Sequence, residues 1–249
     1  ATLFVHPMIY IFEKVFDLVS DVSLLELSNT NSGLLKKLSE KAPGTFYHSL
    51  AVSSLAEAVA TQISGNVMLV RVGALYHDIG KINNPNYFIE NQTSSYNPHI
   101  DLDPNDSNEI IKNHISDGIK IAKKNKIPDR VIDFIRTHHG TTMIRFFYDK
   151  ALKLNINTNE LDFRYSGPKP FSKETAVVMM ADSIEAASKS LDKPNIKLIE
   201  QFVDKIVDKQ LMDNQFINCN ITLKEIEVSK KVFKEKLINI YHLRVEYPD

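Results

Sequence analysis

The sequence predicts an all-α fold in one globular domain. Three observations carry that expectation. Only 8 of the 249 residues are glycine, long stretches repeat apolar residues at intervals of three and four, and several stretches open on capping side chains. No internal repeat, low-complexity tract or clear domain boundary interrupts the pattern. The simplest division gives residues 1–30 to an N-terminal linker segment and residues 31–249 to a single helical bundle.

The elements follow in order. Apolar spacing in "PMIYIFEKVFDLV" predicts a helix over 7–19. Asn31, ahead of "GLLKKLSEKA", starts one over 32–40. The same periodicity gives helices over 45–63, 67–79, 106–125, 128–139 and 142–154. Ser172, ahead of "KETAVVMMA", opens 172–190, and another helix covers 195–211. "TLKE" at 222–225 forms a capping box for the last, over 222–241. Two stretches read as loops: 83–105, "NNPNYFIENQTSSYNPHIDLDPN", and 155–171, "NINTNELDFRYSGPKPF". Loops of that length in a compact domain are usually lids or binding loops, so both are expected to be functional.

Hydrophobic residues at 43% and charged residues at 24% are ordinary for a soluble globular chain. Lysine plus arginine number 30 against 31 acidic residues. That balance argues against polymeric nucleic acid as the main partner, because neutralising a phosphate backbone takes an excess of cations. A small anion in one local pocket stays compatible. Cys219 is the single cysteine, which excludes an internal disulfide or a thiolate cluster and leaves His and carboxylate as metal ligands. Such usage suits a reducing compartment. No segment reaches the roughly 18 apolar residues of a membrane span. The first residue is Ala1 rather than Met, which suggests a piece of a longer protein.

"YHDIGK" sets His77 beside Asp78, then Gly80 and Lys81. Neighbouring helical residues diverge by about 100°, so both cannot face the core, and a shared demand between helices is expected. His48 in "TFYHSLAV", His114 in "KNHISDG", His138 with His139 in "RTHHGTT", and Asp182 in "VVMMADSIEAA" are also polar residues in suggestive contexts. Each alone reads most simply as a hydrogen-bonded histidine or a paired aspartate. Together they read differently. Gly80 and Gly140 sit where glycine stops a helix, so two helix ends would aim carbonyls and negative dipole at one region, a field that favours cations. Five imidazoles and two carboxylates exceed the needs of one metal and suit two metals sharing a carboxylate.

The order His48 … His77-Asp78 … His114 … His138-His139 … Asp182 resembles the HD-domain metal-dependent phosphohydrolases, all-helical proteins named for their His-Asp pair. The additional His114, His138 and His139 resemble the two-metal subclass. "APGTFYHS", "HDIGK", "YFIENQ", "NPH", "HHGTT", "FRYSGPKP", "KET", "ADSIEAAS" and "YHLRVEYP" are similar to the cytosolic catalytic domain of seven-transmembrane-receptor HD proteins, which hydrolyse cyclic di-AMP. The likeness covers residues 7–249. It departs at "NPHI", where the family suggests "NPHD", so no metal role is carried over to His99. It departs again at "DNQFIN", 213–218, where a glycine and an acidic residue are expected.

The resemblance implies an HD-domain helical bundle. One metal would be held by His48, His77, Asp78 and Asp182, the other by His114, His138 and His139, with Asp78 bridging and Lys81 free to meet a phosphate. It implies iron or manganese, and hydrolysis of cyclic di-AMP to linear 5′-pApA by a two-metal-activated hydroxide, with Asp78 and Lys81 as catalytic residues. Glu185 and Asp117 are candidates for orienting ligands, or are surface salt-bridge partners. Arg164, Tyr165 and Lys169 of "FRYSGPKP", with Arg145 and Tyr148 of "RFFYDK", are candidates for contacting base or phosphate. Phe146 and Phe147 are expected in the core, and Asn91 and Gln92 stay open between base contact and turn capping. The whole protein would carry membrane helices upstream, leaving this chain as its cytoplasmic domain. Leu24, Leu25 and Leu27 would couple the two, form a homodimer contact, or pack as an ordinary helix. The rival readings are another cyclic dinucleotide or nucleotide as substrate, and a module that senses nucleotide without turnover.

Overall fold

Every long element is helical in the structure, a computed structural model that describes residues 8, 11–13, 15, 18–31, 33–92 and 96–241. Among these residues the helices are α1 (Asp21–Leu27), α2 (Gly33–Lys41), α3 (Pro43–Gln62), α4 (Val67–Tyr76), α5 (Pro104–Lys124), α6 (Asp129–Thr137), α7 (Arg145–Lys153), α8 (Lys173–Ser188), α9 (Ile196–Met212) and α10 (Leu223–Ile240). Of the helix expected over 7–19, residues 8, 11–13 and 15 are described and helical, residues 18 and 19 are described outside a helix, and the others lie outside the described residues, as does most of "YHLRVEYP". The other nine expected helices are present, with ends shifted by up to three residues. α1 was not expected. Ser20 caps it by accepting from Ser23 N, and Leu24 anchors it in complete burial. Leu25 on its outer side is exposed.

The predicted caps form. Ser172 accepts from Thr175 N while Thr175 answers with its own side chain. Thr222 and Glu225 make the reciprocal pair at the start of α10.

Two apolar clusters share α4. The first joins α3, α8, α9 and α10 through Val52, Leu55, Met179, Met180, Val203 and Phe233. The second joins α1, α2 and α6 through Leu24, Leu35, Leu38, Ile132 and Ile135. Val70 and Ala74 of α4 face the first cluster, whereas Val72 and Leu75 face the second. Arg71 keeps the first half of α4 at the surface, but from Val72 to Tyr76 every residue is buried, and a helix apolar all round runs through the interior. α4 therefore delivers its C-terminal residues, His77 and Asp78, to the middle of the molecule. α8 behaves alike: Thr175 to Asp182 are all buried, which places a carboxylate among methionines and valines.

Both long loops are ordered into short 3-10 turns. The first holds Pro85–Tyr87, Ile89–Asn91 and Pro98–Ile100, and Lys150 of α7 ties it down by donating to the His99 carbonyl at 2.9 Å. The second holds Glu160–Phe163 over a fully buried Phe163. One core expectation is corrected: Phe147 is buried, but Phe146 is 67% exposed. They are neighbours on one helix, so only one can turn inward.

Candidate metal centre

Five elements meet at one point. His48 comes from the second turn of α3, His77 and Asp78 from the end of α4, His114 from mid-α5, His138 and His139 from the end of α6, and Asp182 from α8. Gly140 ends α6 as expected, with φ +51°. Gly80 serves another purpose than the expected stop. Its 3-10 turn lies so close to α5 that a Cβ would stand 1.9 Å from the His114 carbonyl oxygen. Only glycine allows His77-Asp78 and His114 to approach.

The structure brings all seven side chains together in two groups. His48, His77, Asp78 and Asp182 form one and His114, His138 and His139 the other; within each, the donor atoms lie within 4.8 Å of one another. Asp78 stands between them. Its Oδ2 is 3.1 Å from His77 Nε2 and 3.5 Å from His48 Nε2. Its Oδ1 is 3.4 Å from His114 Nε2 and 3.6 Å from His138 Nε2. Asp182 adds Oδ1 at 3.0 Å from His48 Nε2.

Four of the five imidazoles are held with their Nε2 atoms inward, and His139 instead turns Nδ1 towards Asp182 Oδ2, at 3.8 Å. His77, His114 and His138 each donate from Nδ1 to the carbonyl three residues back: Ala74 at 2.7 Å, Ile111 at 2.5 Å and Ile135 at 2.9 Å. His48 instead gives its Nδ1 to Glu185, a carboxylate on α8. Of the two residues considered as orienting groups, Glu185 thus reaches a ring. Asp117 accepts from Asn83 at 3.0 Å and stays with the surface. His99 lies outside both groups, donating to the Tyr87 carbonyl at 2.9 Å.

The donor set fits divalent cations. His77 Nε2 and Asp78 Oδ1 are buried without a hydrogen-bond partner. The Nε2 atoms of His114 and His138 face each other at 3.1 Å. With both Nδ1 atoms turned to carbonyls, the two Nε2 atoms meet at one point, and a cation or a shared proton between them resolves the contact.

Electrostatics divide the groups. Burial opposes charge on His77, yet Asp78 and Asp182 push it up to about 10. Burial is likewise overcome at His48, raised by Asp182 and Glu185. Burial wins at the other group, with His138 adding to it: His114 falls to about 3 although Asp78 opposes, and His139 is held well below its usual value although Asp182 and Asp78 oppose. Both aspartates stay ionised against burial, Asp78 through Lys81 and His77, and Asp182 through His48 and His77.

Lys81 differs from expectation. It does not stand free, but bridges Asp78 Oδ2 and Glu90 Oε1 at 2.8 Å each. Tyr165 is buried and lies stacked on His139, ring centroids 4.3 Å apart, so it forms a wall of the centre. A cavity of about 360 Å³ opens beside the centre. Arg145, Arg164, Thr142, Ser183, Lys209 and Gln210 line it; Thr142 bonds the His139 carbonyl at 2.7 Å, and Ser183 follows Asp182. Arg164 is partly committed to Glu160 and the Thr141 carbonyl. Tyr148 packs on Phe163, and Lys169 makes no hydrogen bond or ion pair among the described residues. Neither is among the cavity residues.

Sequence reasoning missed Glu90 and Gln215. Gln215 accepts from Thr141 N at 3.0 Å and so braces the turn after His139; it lies within the departing "DNQFIN". Asn91 and Gln92 are both engaged within the protein, Asn91 with Thr45 and Gln92 with the Asn86 carbonyl at 3.1 Å.

A family model described as HD domain matches residues 45–187. The chain is 46% identical over 242 residues, 97% of its length, to the Cyclic-di-AMP phosphodiesterase PgpH of Listeria monocytogenes serotype 1/2a (strain 10403S). It is 44% identical over 238 residues, 96% of its length, to the protein of the same name from Bacillus subtilis (strain 168). The chain spans about a third of those relatives, 34% of each. The crystal structure of the L. monocytogenes PgpH HD domain in complex with Cyclic-di-AMP matches with a TM-score of 0.83 at 46% identity, covering 86% of this chain and all of that one.

Proposed function

The chain belongs to the HD domain family, and on that footing we propose that it is a metal-dependent phosphodiesterase that hydrolyses cyclic di-AMP to linear 5′-pApA. The observation that carries this reading is the position of Asp78, with one carboxylate oxygen turned to each ligand group. The likeness to a domain solved with cyclic di-AMP supplies the substrate.

His48, His77, Asp78 and Asp182 would hold one divalent transition metal, and His114, His138, His139 and the other oxygen of Asp78 a second. Oxygen and nitrogen donors without sulfur admit iron, manganese, cobalt or nickel, and the family resemblance favours iron or manganese. When bound, the two ions supply an activated water and polarise the phosphoryl group. The chain's own side chains do the remaining work. Lys81 places an ammonium beside Asp78 to offset charge on the phosphoryl oxygens. Tyr165 keeps its proton, because burial raises its pKa, and closes the wall beside His139. Arg145 and Arg164 sit in the adjoining cavity where the second nucleotide can lie, and Lys169 and Tyr148 belong to the surrounding segments as outer contacts.

The family likeness further supports residues 31–249 as the catalytic domain, residues 1–30 as its linker, and a full-length protein anchored at the membrane with this part in the cytoplasm. No described helix is itself long and apolar enough to cross a membrane. Val22 and Leu25, exposed side by side on α1, suit a homodimer contact.

The test is product analysis. The chain, loaded anaerobically with ferrous iron or with manganese, is incubated separately with cyclic di-AMP, cyclic di-GMP and a nucleoside triphosphate. The expected result is 5′-pApA from cyclic di-AMP and about two metals per chain; no product from any of the three overturns the reading.

A further inference from the structure

Besides Glu185, one half-buried carboxylate beside the centre is not among the seven. Glu90 lies in the 3-10 turn Ile89–Asn91, with its side chain 12% exposed. Its Oε1 accepts from Lys81 Nζ at 2.8 Å and from Thr45 Oγ1 at 3.0 Å. Asn91 donates to Thr45 Oγ1 at 2.8 Å, and Thr45 N donates back to Asn91 Oδ1 at 3.1 Å. The turn is thereby stitched to α3 three residues ahead of His48. Phe88 closes the remaining side, its ring centroid 4.9 Å from the ammonium.

Lys81 already has one anion, Asp78, at 2.8 Å. A second, half-buried carboxylate on the same cation is costly, since each ion gives up water to reach the pair. Its use would lie in the metal-loaded centre, where Asp78 would serve as a ligand and be drawn away from Lys81. An ammonium on a flexible four-carbon stem then loses one of its two partners. Glu90, fixed from behind by Thr45, keeps the other in place.

We propose that Glu90 is a positioning residue that holds Lys81 at the edge of the centre, aimed at the phosphoryl oxygens of the substrate. The inference rests on the phosphodiesterase reading above. It requires Glu90 to act through Lys81 and through nothing else.

A double-mutant cycle on the metal-loaded chain tests this, comparing wild type, Glu90→Gln, Lys81→Met and the double variant. Expected are a loss of about 100-fold in kcat/KM for Lys81→Met, and of about tenfold for Glu90→Gln in the wild-type background. In the Lys81→Met background, Glu90→Gln should change turnover by less than about twofold, because non-additivity marks residues acting as a unit. Metal stoichiometry should equal that of wild type throughout, and Glu90→Asp, which keeps the charge, should recover part of the tenfold. An equal loss from Glu90→Gln in both backgrounds, or loss of metal, overturns the proposal. Thermal unfolding reports whether each variant folds; should Lys81→Met not fold, the uncharged Lys81→Gln replaces it in the cycle. A wild type that turns over nothing sinks the phosphodiesterase reading instead. The same cycle is then scored on cyclic di-AMP affinity, where equal losses in both backgrounds again overturn the role of Glu90.

Discussion

The two ligand groups hold the same kind of imidazole under opposite electrostatics. His77 and His114 are both almost completely buried, and burial disfavours charge on each. Yet His77 is pushed up to about 10 and His114 down to about 3. The difference lies in the second carboxylate. His77 faces Asp78 and Asp182, while His114 has Asp78 alone and the His138 ring against it. Anion placement, rather than depth, decides whether a buried histidine holds a proton or a free lone pair. The four-ligand group attracts cations by charge but must first lose protons; in the three-imidazole group His114 and His139 already hold free lone pairs, and the group has no carboxylate of its own.

The largest effect removes what the two groups share. Asp78→Ala should deplete metal from both and reduce phosphodiesterase turnover by at least about 1,000-fold, measured by elemental analysis and product formation. Turnover near wild type would end the two-metal account. His114→Ala should instead separate the groups, lowering the ratio from about two metals per chain to about one, with the remaining ion in the four-ligand group. Equal depletion of both would mean that they do not bind independently.

pH sharpens the contrast next. His77 is raised above its unfolded value of 6.5, so in the metal-free chain its stabilisation is complete below pH 6.5 and is lost as pH rises through about 10. His114 has the reverse sign: lowered to about 3, it costs stability as pH falls below 6.5. Metal must displace the proton on His77. Affinity in the four-ligand group should therefore climb between pH 6.5 and 9, while the three-imidazole group stays nearly flat. Calorimetric titration at several pH values, in the His114→Ala and His77→Ala variants, reads each group separately; parallel slopes would contradict the assignment.

What was legible in the sequence follows from the same division between local and distant. His48, His114 and Asp182 betray themselves as polar residues in helical apolar runs, and His77-Asp78 as a pair that no single helix face can absorb. Those are periodic signals. Glu90 carries none, because its partner Lys81 sits across a loop and its anchor Thr45 is 45 positions away. Gln215 braces Thr141 from 74 positions away, again without a period to expose it. Lys81 shows the limit most clearly: its place in "HDIGK" marks it as important, but its two carboxylate partners depend on how a turn folds back. The core expectation fails at Phe146, and holds at Phe147, for a simpler reason, since composition cannot say which of two adjacent aromatics faces inward.

The smallest effect isolates how the rings are aimed. Three of the imidazoles give Nδ1 to a neutral backbone carbonyl, and His48 alone gives it to a carboxylate, Glu185, which Lys189 also contacts at 3.1 Å. A carboxylate behind an imidazole raises its basicity and strengthens it as a ligand, an effect typically worth 10- to 100-fold in metal affinity. Glu185→Gln keeps the shape and can still accept from His48, so it removes only the charge. In the His114→Ala background the affinity of the four-ligand group should fall by about tenfold, or about 1.4 kcal/mol. In the His77→Ala background the three-imidazole group should not respond, because its rings at His114 and His138 are anchored by Ile111 and Ile135 carbonyls that the substitution leaves untouched. A matching loss in both backgrounds would mean that Glu185 acts on the whole centre through its net charge, and the contrast between the two groups would then be one of distance rather than of wiring.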